Sequence, residues 1–202
     1  MKVKSILIAA LMVAFAGAAQ ANLVSNGDFE ADWWAEDWNY GTSDGGYIGV
    51  ATDQNGPSAP GEQSVFMNTE VPGGKVDLRS NAFALPEGET IVYYSFDYAV
   101  EQRAGSHALY QLRFFEGPGD TNWLGELNIN LTDTDGLWEV QSGQFDIPQG
   151  AGYADIRISA GIFDDTFDGV VRIDNVSVVP EPATLALLGL GSLGLLRRKR
   201  TA

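Results

Sequence analysis

Between Asn22 and Val179 the apolar residues recur mostly at every second position, and no stretch carries the three-to-four spacing of an amphipathic helix. Over Ile91 to Val100 the alternation is strongest. Val92, Tyr94, Phe96, Tyr98 and Val100 share one face, while the other passes from Ile91 and Tyr93 to Ser95 and Asp97. Ala108 to Phe115 sets Ala108, Tyr110, Leu112 and Phe114 against Gln111 and Arg113. Trp123 to Leu131 sets Leu127, Ile129 and Leu131 against Glu126, Asn128 and Asn130. Gln63 to Met67, Val76 to Phe83, Leu137 to Phe145, Tyr153 to Ala160 and Val170 to Val178 read as further strands, and Leu23-Val24 opens a short one containing the turn signal Asn26-Gly27. Clusters of Gly, Pro, Asn and Asp separate these runs. Eight or nine strands of period two predict an all-β fold, an antiparallel two-sheet jelly-roll sandwich.

The last of these runs changes phase. Val171 and Ile173 fall on one face, whereas Val176 and Val178 fall on the other, and the switch lies at Asp174-Asn175. A single inserted residue restores the inward direction after such a slip, so a β-bulge is expected there.

Both ends of the chain depart from this pattern. Lys2 and Lys4, the apolar run Ile6 to Phe15 and the Ala19-Gln20-Ala21 cleavage site form a signal peptide over 1–21, expected as a short helix removed by signal peptidase. At the other end, Pro180-Glu181-Pro182 halts the final strand. An uncharged apolar run follows from Ala183 to Leu196, and Arg197-Arg198-Lys199-Arg200 ends it. That order resembles the PEP-CTERM sorting signal of Gram-negative bacteria. The resemblance implies transient anchoring in the inner membrane by a short hydrophobic helix over 179–202, processing by exosortase near the Pro-Glu-Pro, and release to the exterior or cell surface. The run is shorter than the roughly 20 apolar residues that span a bilayer, and its basic end is the cytoplasmic one by the positive-inside rule. The domain proper is therefore 22–178, long enough for a sizeable core.

The two ends hold six of the twelve Lys and Arg residues but only one of the 27 acids, Glu181. The body keeps six cations against 26 acids. A surface this negative repels phosphate backbones, so nucleic acid is excluded as a partner. Cysteine is absent, so neither disulfides nor a thiolate metal centre supports the exported fold. His107 is the only histidine and no G-x-S-x-G occurs, which removes multi-histidine zinc chemistry and leaves a Ser–His–Asp hydrolase without a signature. With 26 acids, carboxylate pairs are abundant and none is singled out, so no catalytic residue is assigned and a glycoside hydrolase ranks below the non-catalytic readings.

Asn22-Leu23-Val24-Ser25-Asn26-Gly27-Asp28-Phe29-Glu30, Phe83-Ala84-Leu85-Pro86 and Ile173-Asp174-Asn175-Val176-Ser177-Val178 together resemble a carbohydrate-binding-module-like jelly roll of the galactose-binding-domain type. The resemblance implies a structural Ca2+ near the paired first and last strands. Asp28, Glu30 and Asp174 are the candidate ligands, since calcium takes six to eight hard oxygens. The acidic turns Asp164 to Gly169 and Asp133 to Gly136 lack the spacing of a calcium loop and read as plain turns. Trp33, Trp34, Trp38 and Tyr40 crowd one stretch, where exposed aromatic planes could stack on sugar rings, with Asp32, Glu36, Asp37 and Asn39 nearby to take hydroxyls. Trp123 and Trp138 read as core or sheet-edge residues. The expected function is an exported, non-catalytic protein that binds or organises exopolysaccharide in a matrix or biofilm. The alternative is a calcium-dependent structural or adhesive surface protein.

Overall fold

The computed structural model describes residues 21–31, 37–52, 56–58, 63–69, 74–105, 108–161 and 167–181. The signal helix, Trp33, Trp34, His107 and the tail from Pro182 through Arg197, Arg198, Lys199 and Arg200 lie outside the described residues. Among the described residues there are eleven strands: β1 (Trp38–Ser43), β2 (Gly46–Ala51), β3 (Ser64–Thr69), β4 (Lys75–Ser80), β5 (Phe83–Ala84), β6 (Ile91–Ala104), β7 (Ala108–Gly117), β8 (Thr121–Asn130), β9 (Glu139–Asp146), β10 (Tyr153–Ala160) and β11 (Asp168–Pro180). They form two antiparallel sheets. Sheet A runs β1-β4-β10-β7-β8, with β5 also on β10, and sheet B runs β2-β3-β11-β6-β9.

The alternating faces pack against each other. From sheet B come Val92, Phe96, Val100, Met67, Val171, Ile173 and Val178, and from sheet A come Leu78, Tyr110, Leu112, Phe114, Ile156 and Ile158, all at 0% exposure. Phe96 and Tyr110 stack across the interior, ring centroids 4.1 Å apart at 15°. Large buried side chains of this kind lose about 3–5 kcal/mol on truncation to Ala, because the void adds to the lost transfer energy.

Three expectations need correction. β1 and β2 were not among the predicted strands, because Gly41, Gly45, Gly46 and Gly49 interrupt their alternation. The chain passes from β1 in one sheet to β2 in the other through Asp44 and Gly45, both at positive φ (53° and 88°). The run Val76–Phe83 splits into β4 and β5. Finally, residues 23–28 form bends and a turn instead of a strand, with Asn26 at φ 47° and Phe29 at φ 54°.

That opening segment nevertheless closes on the final strand. Leu23 N–H donates to Val178 O (2.8 Å) and Val176 N–H donates to Gly27 O (2.7 Å). Asn22 clamps the same stretch: its Nδ2 donates to Val176 O (2.9 Å), and its Oδ1 accepts from the N–H groups of Val178 (2.9 Å) and Val24 (3.1 Å). Gly27 is required here, since a Cβ on it would sit 2.0 Å from Val176 O. The bulge expected in the last strand is present. The β11–β6 register slips between Asp174 and Ser177, and Asn175 takes φ 53°. Both Val171–Ile173 and Val176–Val178 therefore reach the core.

Candidate functional site

The outward face of sheet A is the polar side of its alternation, yet its centre is closed to solvent. Register places Asp77 beside Ser159, Arg79 beside Arg157, and Arg157 in turn beside Gln111. Asp155 stands opposite Arg113 and Tyr153 opposite Phe115. On β8, Asn128, Glu126 and Trp123 continue these rows from Gln111, Arg113 and Phe115. Four of the body's six cations, Lys75, Arg79, Arg113 and Arg157, lie on this one face. In a chain so acidic, it is where the charge comes nearest to balance.

The side chains hold one another rigidly. Arg113 grips Asp155 with two bonds, Nε to Oδ1 at 2.8 Å and Nη2 to Oδ2 at 2.5 Å, and its guanidinium carbon stands 5.4 Å from the centre of the Phe115 ring. Burial pushes the Asp155 carboxyl up, and Arg113 only partly opposes that. Arg157 Nε donates to Asp77 Oδ1 (2.6 Å), and Arg79 Nη1 donates to Asp120 Oδ2 (3.2 Å). Gln111 Nε2 donates to Asn128 Oδ1 (2.8 Å), whose Nδ2 donates to Glu126 (2.8 Å). On this face two buried side-chain atoms have no hydrogen-bond partner among the described residues: Gln111 Oε1 and Ser159 Oγ, on residues 4% and 1% exposed. A buried acceptor and a buried hydroxyl without partners each cost free energy until a ligand or water supplies the bond. At the margin of the same face Trp123 is 58% exposed on edge strand β8. The face thus offers an aromatic plane beside fixed amides, hydroxyl, guanidinium and carboxylate groups, which suits a flat, hydroxyl-rich ligand.

The residues expected from sequence stand elsewhere. Trp38 is 3% exposed, packs its ring 5.0 Å from Phe29 and donates Nε1–H to Asn26 O (3.1 Å). It is a core residue, which corrects its reading as a stacking platform. Tyr40 is 49% exposed, on β1 at the sheet edge and in the phase of Leu78. Trp33 and Trp34 fall outside the described residues, so the four aromatics are not seen as one cluster.

Of the acids, Asp174 is buried in the β11 bulge. Its Oδ2 accepts Gly56 N–H (2.8 Å) and its Oδ1 accepts Asn175 N–H (2.7 Å). Beside it in register lies Asp97, 1% exposed, which accepts from Ser58 N–H (2.8 Å), Ser58 Oγ–H (2.7 Å) and Asn175 Nδ2–H (2.9 Å). Glu30 Oε1 accepts Gln63 N–H (2.9 Å). Burial raises the Asp174 carboxyl to about 6; the two N–H donors oppose this, and the negative charges of Asp97 and Glu30 add to it. Neither Asp97 nor Asp174 has a cationic partner among the described residues. Chemically, these all-oxygen donors with uncompensated charge fit a hard divalent ion, with Glu30 and Asp174 as the side chains that would hold it. Among the described residues, however, no three acids are arranged as a complete metal cluster. Asp28 does not join them: it is exposed and turns its Oδ1 to Glu30 N–H at 3.5 Å.

A shallow hollow of about 430 Å³ on sheet B is lined by Tyr93, Ser95, Ser142, Gln144, Ser177 and Val179. None of its lining atoms is both buried and unpartnered, so it carries a weaker demand for a ligand than sheet A.

Residues 178–200 match the PEP-CTERM protein-sorting motif. β11 ends at Pro180, so the motif begins within the last strand of the body. No curated protein matches the chain. Among solved structures, the fold is similar to the enzymatically active domain of bacteriophage CBA120 tailspike protein 4, at 16% identity and TM-score 0.63 over 79% of this chain. The chain spans only 21% of that tailspike structure. It is also similar to TmCBM61 in complex with β-1,4-galactotriose (16% identity, TM-score 0.53, 80% of this chain and 99% of that one). A third likeness is to Family 16 Carbohydrate Binding Module-2 (15% identity, TM-score 0.53, 78% and 99%). The chain thus carries the sorting motif at residues 178–200, and its body has a jelly-roll fold like that of these carbohydrate-binding modules.

Proposed function

We propose that this chain is an exported, non-catalytic polysaccharide-binding protein of the bacterial surface or matrix, and that it holds glycan across the outward face of sheet A. The carrying observation is the pair of buried, unpartnered atoms Gln111 Oε1 and Ser159 Oγ on a face that also presents Trp123. Once the side chains over them shift aside, hydroxyls of a glycan strand can donate to the first and accept from the second. Trp123, four residue rows along β7 from Gln111, stacks on the C–H side of a different sugar of that strand. Signal peptidase removes residues 1–21, and exosortase acts on the tail as it passes through the inner membrane. The sorting motif supports that route, and the likeness to carbohydrate-binding modules supports the ligand class. The fold also occurs within the tailspike enzyme, but the sheet A acids Asp77 and Asp155 are tied to arginines and are not free to act as acid and base.

A glycan array followed by affinity electrophoresis tests this reading. Truncating an aromatic anchor costs about 2 kcal/mol or more, so Trp123→Ala should weaken any binding by about 30-fold. Gln111→Ala should weaken it as well. Glycan binding that survives both substitutions overturns the assignment to sheet A.

The second reading is a calcium-dependent adhesive protein, favoured by the convergence of Glu30 and Asp174 beside Asp97. In either case bound Ca2+ would link the opening segment to the bulge of the final strand, and it stabilises the fold by mass action. A melting temperature that is the same in EGTA and in calcium removes the ion. Calcium-dependent self-association without glycan favours the adhesin.

A further inference from the structure

The opposite sheet carries an arrangement that the sheet A reading does not use. On the outward side of sheet B, Tyr47 stands beside Asn68, while Gly49 stands beside Phe66 and Phe66 beside Arg172. Tyr47 is 55% exposed. Its ring meets Phe66 at 5.6 Å between centroids and 45° between planes. Both rings lie over Gly49, where a Cβ would come within 2.9 Å of Phe66 Cε1 and 3.3 Å of Tyr47 Cε1. The glycine therefore lets the rings settle onto the sheet as a floor.

Arg172 borders this floor. Every other arginine of the described body is paired: Arg79 with Asp77 and Asp120, Arg103 with Asp168, Arg113 with Asp155, and Arg157 with Asp77. Arg172 is half-buried and makes neither an ion pair nor a hydrogen bond among the described residues. In a body with 26 acids and six cations, a guanidinium without a carboxylate among the described residues is unusual. Its planar fork suits a bidentate carboxylate brought from outside.

We propose that Tyr47, Phe66 and Arg172 form a second sugar subsite on sheet B, specific for an acidic pyranose. The ring of a uronate stacks on Tyr47 and Phe66, and its carboxylate takes the Arg172 fork. Asn68, whose Oδ1 accepts from Arg103 Nη2 at 3.1 Å, has its Nδ2–H groups left for a ring hydroxyl. This subsite stands independently of sheet A. If both operate, one chain bridges two glycan strands on opposite sides of the sandwich.

The test is an amide chemical-shift titration of the purified chain with oligogalacturonate and with its fully methyl-esterified form. Expected are shifts centred on Tyr47, Gly49, Phe66 and Asn68 for the acid only. Arg172→Gln should weaken this binding at least tenfold, and Trp123→Ala should leave it unchanged. Equal binding of the methyl ester, shifts confined to sheet A, or full affinity in Arg172→Gln each overturns the proposal. Loss of binding in Trp123→Ala alone overturns it too, while leaving the sheet A reading in place.

Discussion

Tyr110→Phe removes one oxygen atom from the centre of the sandwich and should make the protein more stable. Tyr110 is 0% exposed, and its hydroxyl has no hydrogen-bond partner among the described residues. A stranded polar group of this kind costs about 1–3 kcal/mol. Removing it leaves a gap no larger than a methyl group, which costs about 1 kcal/mol at most. The ring remains, and so does its stack on Phe96. The balance is a gain of about 1 kcal/mol, or roughly 2–4 °C in melting temperature for a domain of this size. Burial, and to a lesser degree Tyr94, pushes the Tyr110 phenol pKa well above its ordinary value, so the hydroxyl stays protonated and the gain should be the same at pH 6 and pH 8. Urea unfolding monitored by circular dichroism, with an unchanged m value, is the assay. A melting temperature lowered by several degrees refutes the reasoning, because it means the hydroxyl bonds to an internal water. Tyr110→Ala, which opens a true void, should instead lose about 3–5 kcal/mol.

Other substitutions test the seams of the structure. Asn22→Ala removes three bonds to Val176, Val178 and Val24 and should cost about 1–3 kcal/mol in urea unfolding. Gly27→Ala drives a methyl into Val176 O and should destabilise the fold by about 1–3 kcal/mol or more, read from the same curves. Arg113→Met strands the buried Asp155 charge and should cost about 3–5 kcal/mol, with most of the loss recovered on adding Asp155→Leu. The pH dependence follows from Asp174, whose folded carboxyl is raised from 3.8 to about 6. Protonation then favours the folded state, so its contribution is full below about pH 4 and is lost as pH rises through about 6. In EGTA, Asp174→Asn should flatten the fall in urea midpoint between these limits, and an unaltered slope refutes it.

The sheets were legible because one face of each strand is buried, and burial enforces a two-residue period. Even the irregular point, the phase change at Asp174, could be read, since only a bulge returns both Ile173 and Val176 to the core. β1 and β2 were not legible, because their glycines answer to neighbours distant in sequence. Gly46 meets Lys75 O, and Gly49 meets Phe66. The aromatic cluster misled for a related reason: Trp38 and Tyr40 share a phase, yet one lies inside and the other at the edge. In the sequence Gln111 and Arg113 alternate outward and read as solvated, which hides the sheet A face. One available signal was that Lys75, Arg79, Arg113 and Arg157 all occupy outward positions in a chain with few cations.

The position of β11 bears on how the molecule withstands force. It is the middle strand of sheet B, bonded to β3 and β6 on its two sides, and its upper end also receives the opening residues of the chain. The export tail leaves directly from that strand. A tug transmitted through the C-terminus would load its hydrogen bonds in parallel, by shear, instead of peeling them one at a time from an edge. A protein held at a surface by this end would therefore yield late, and by sudden collapse of the whole sheet.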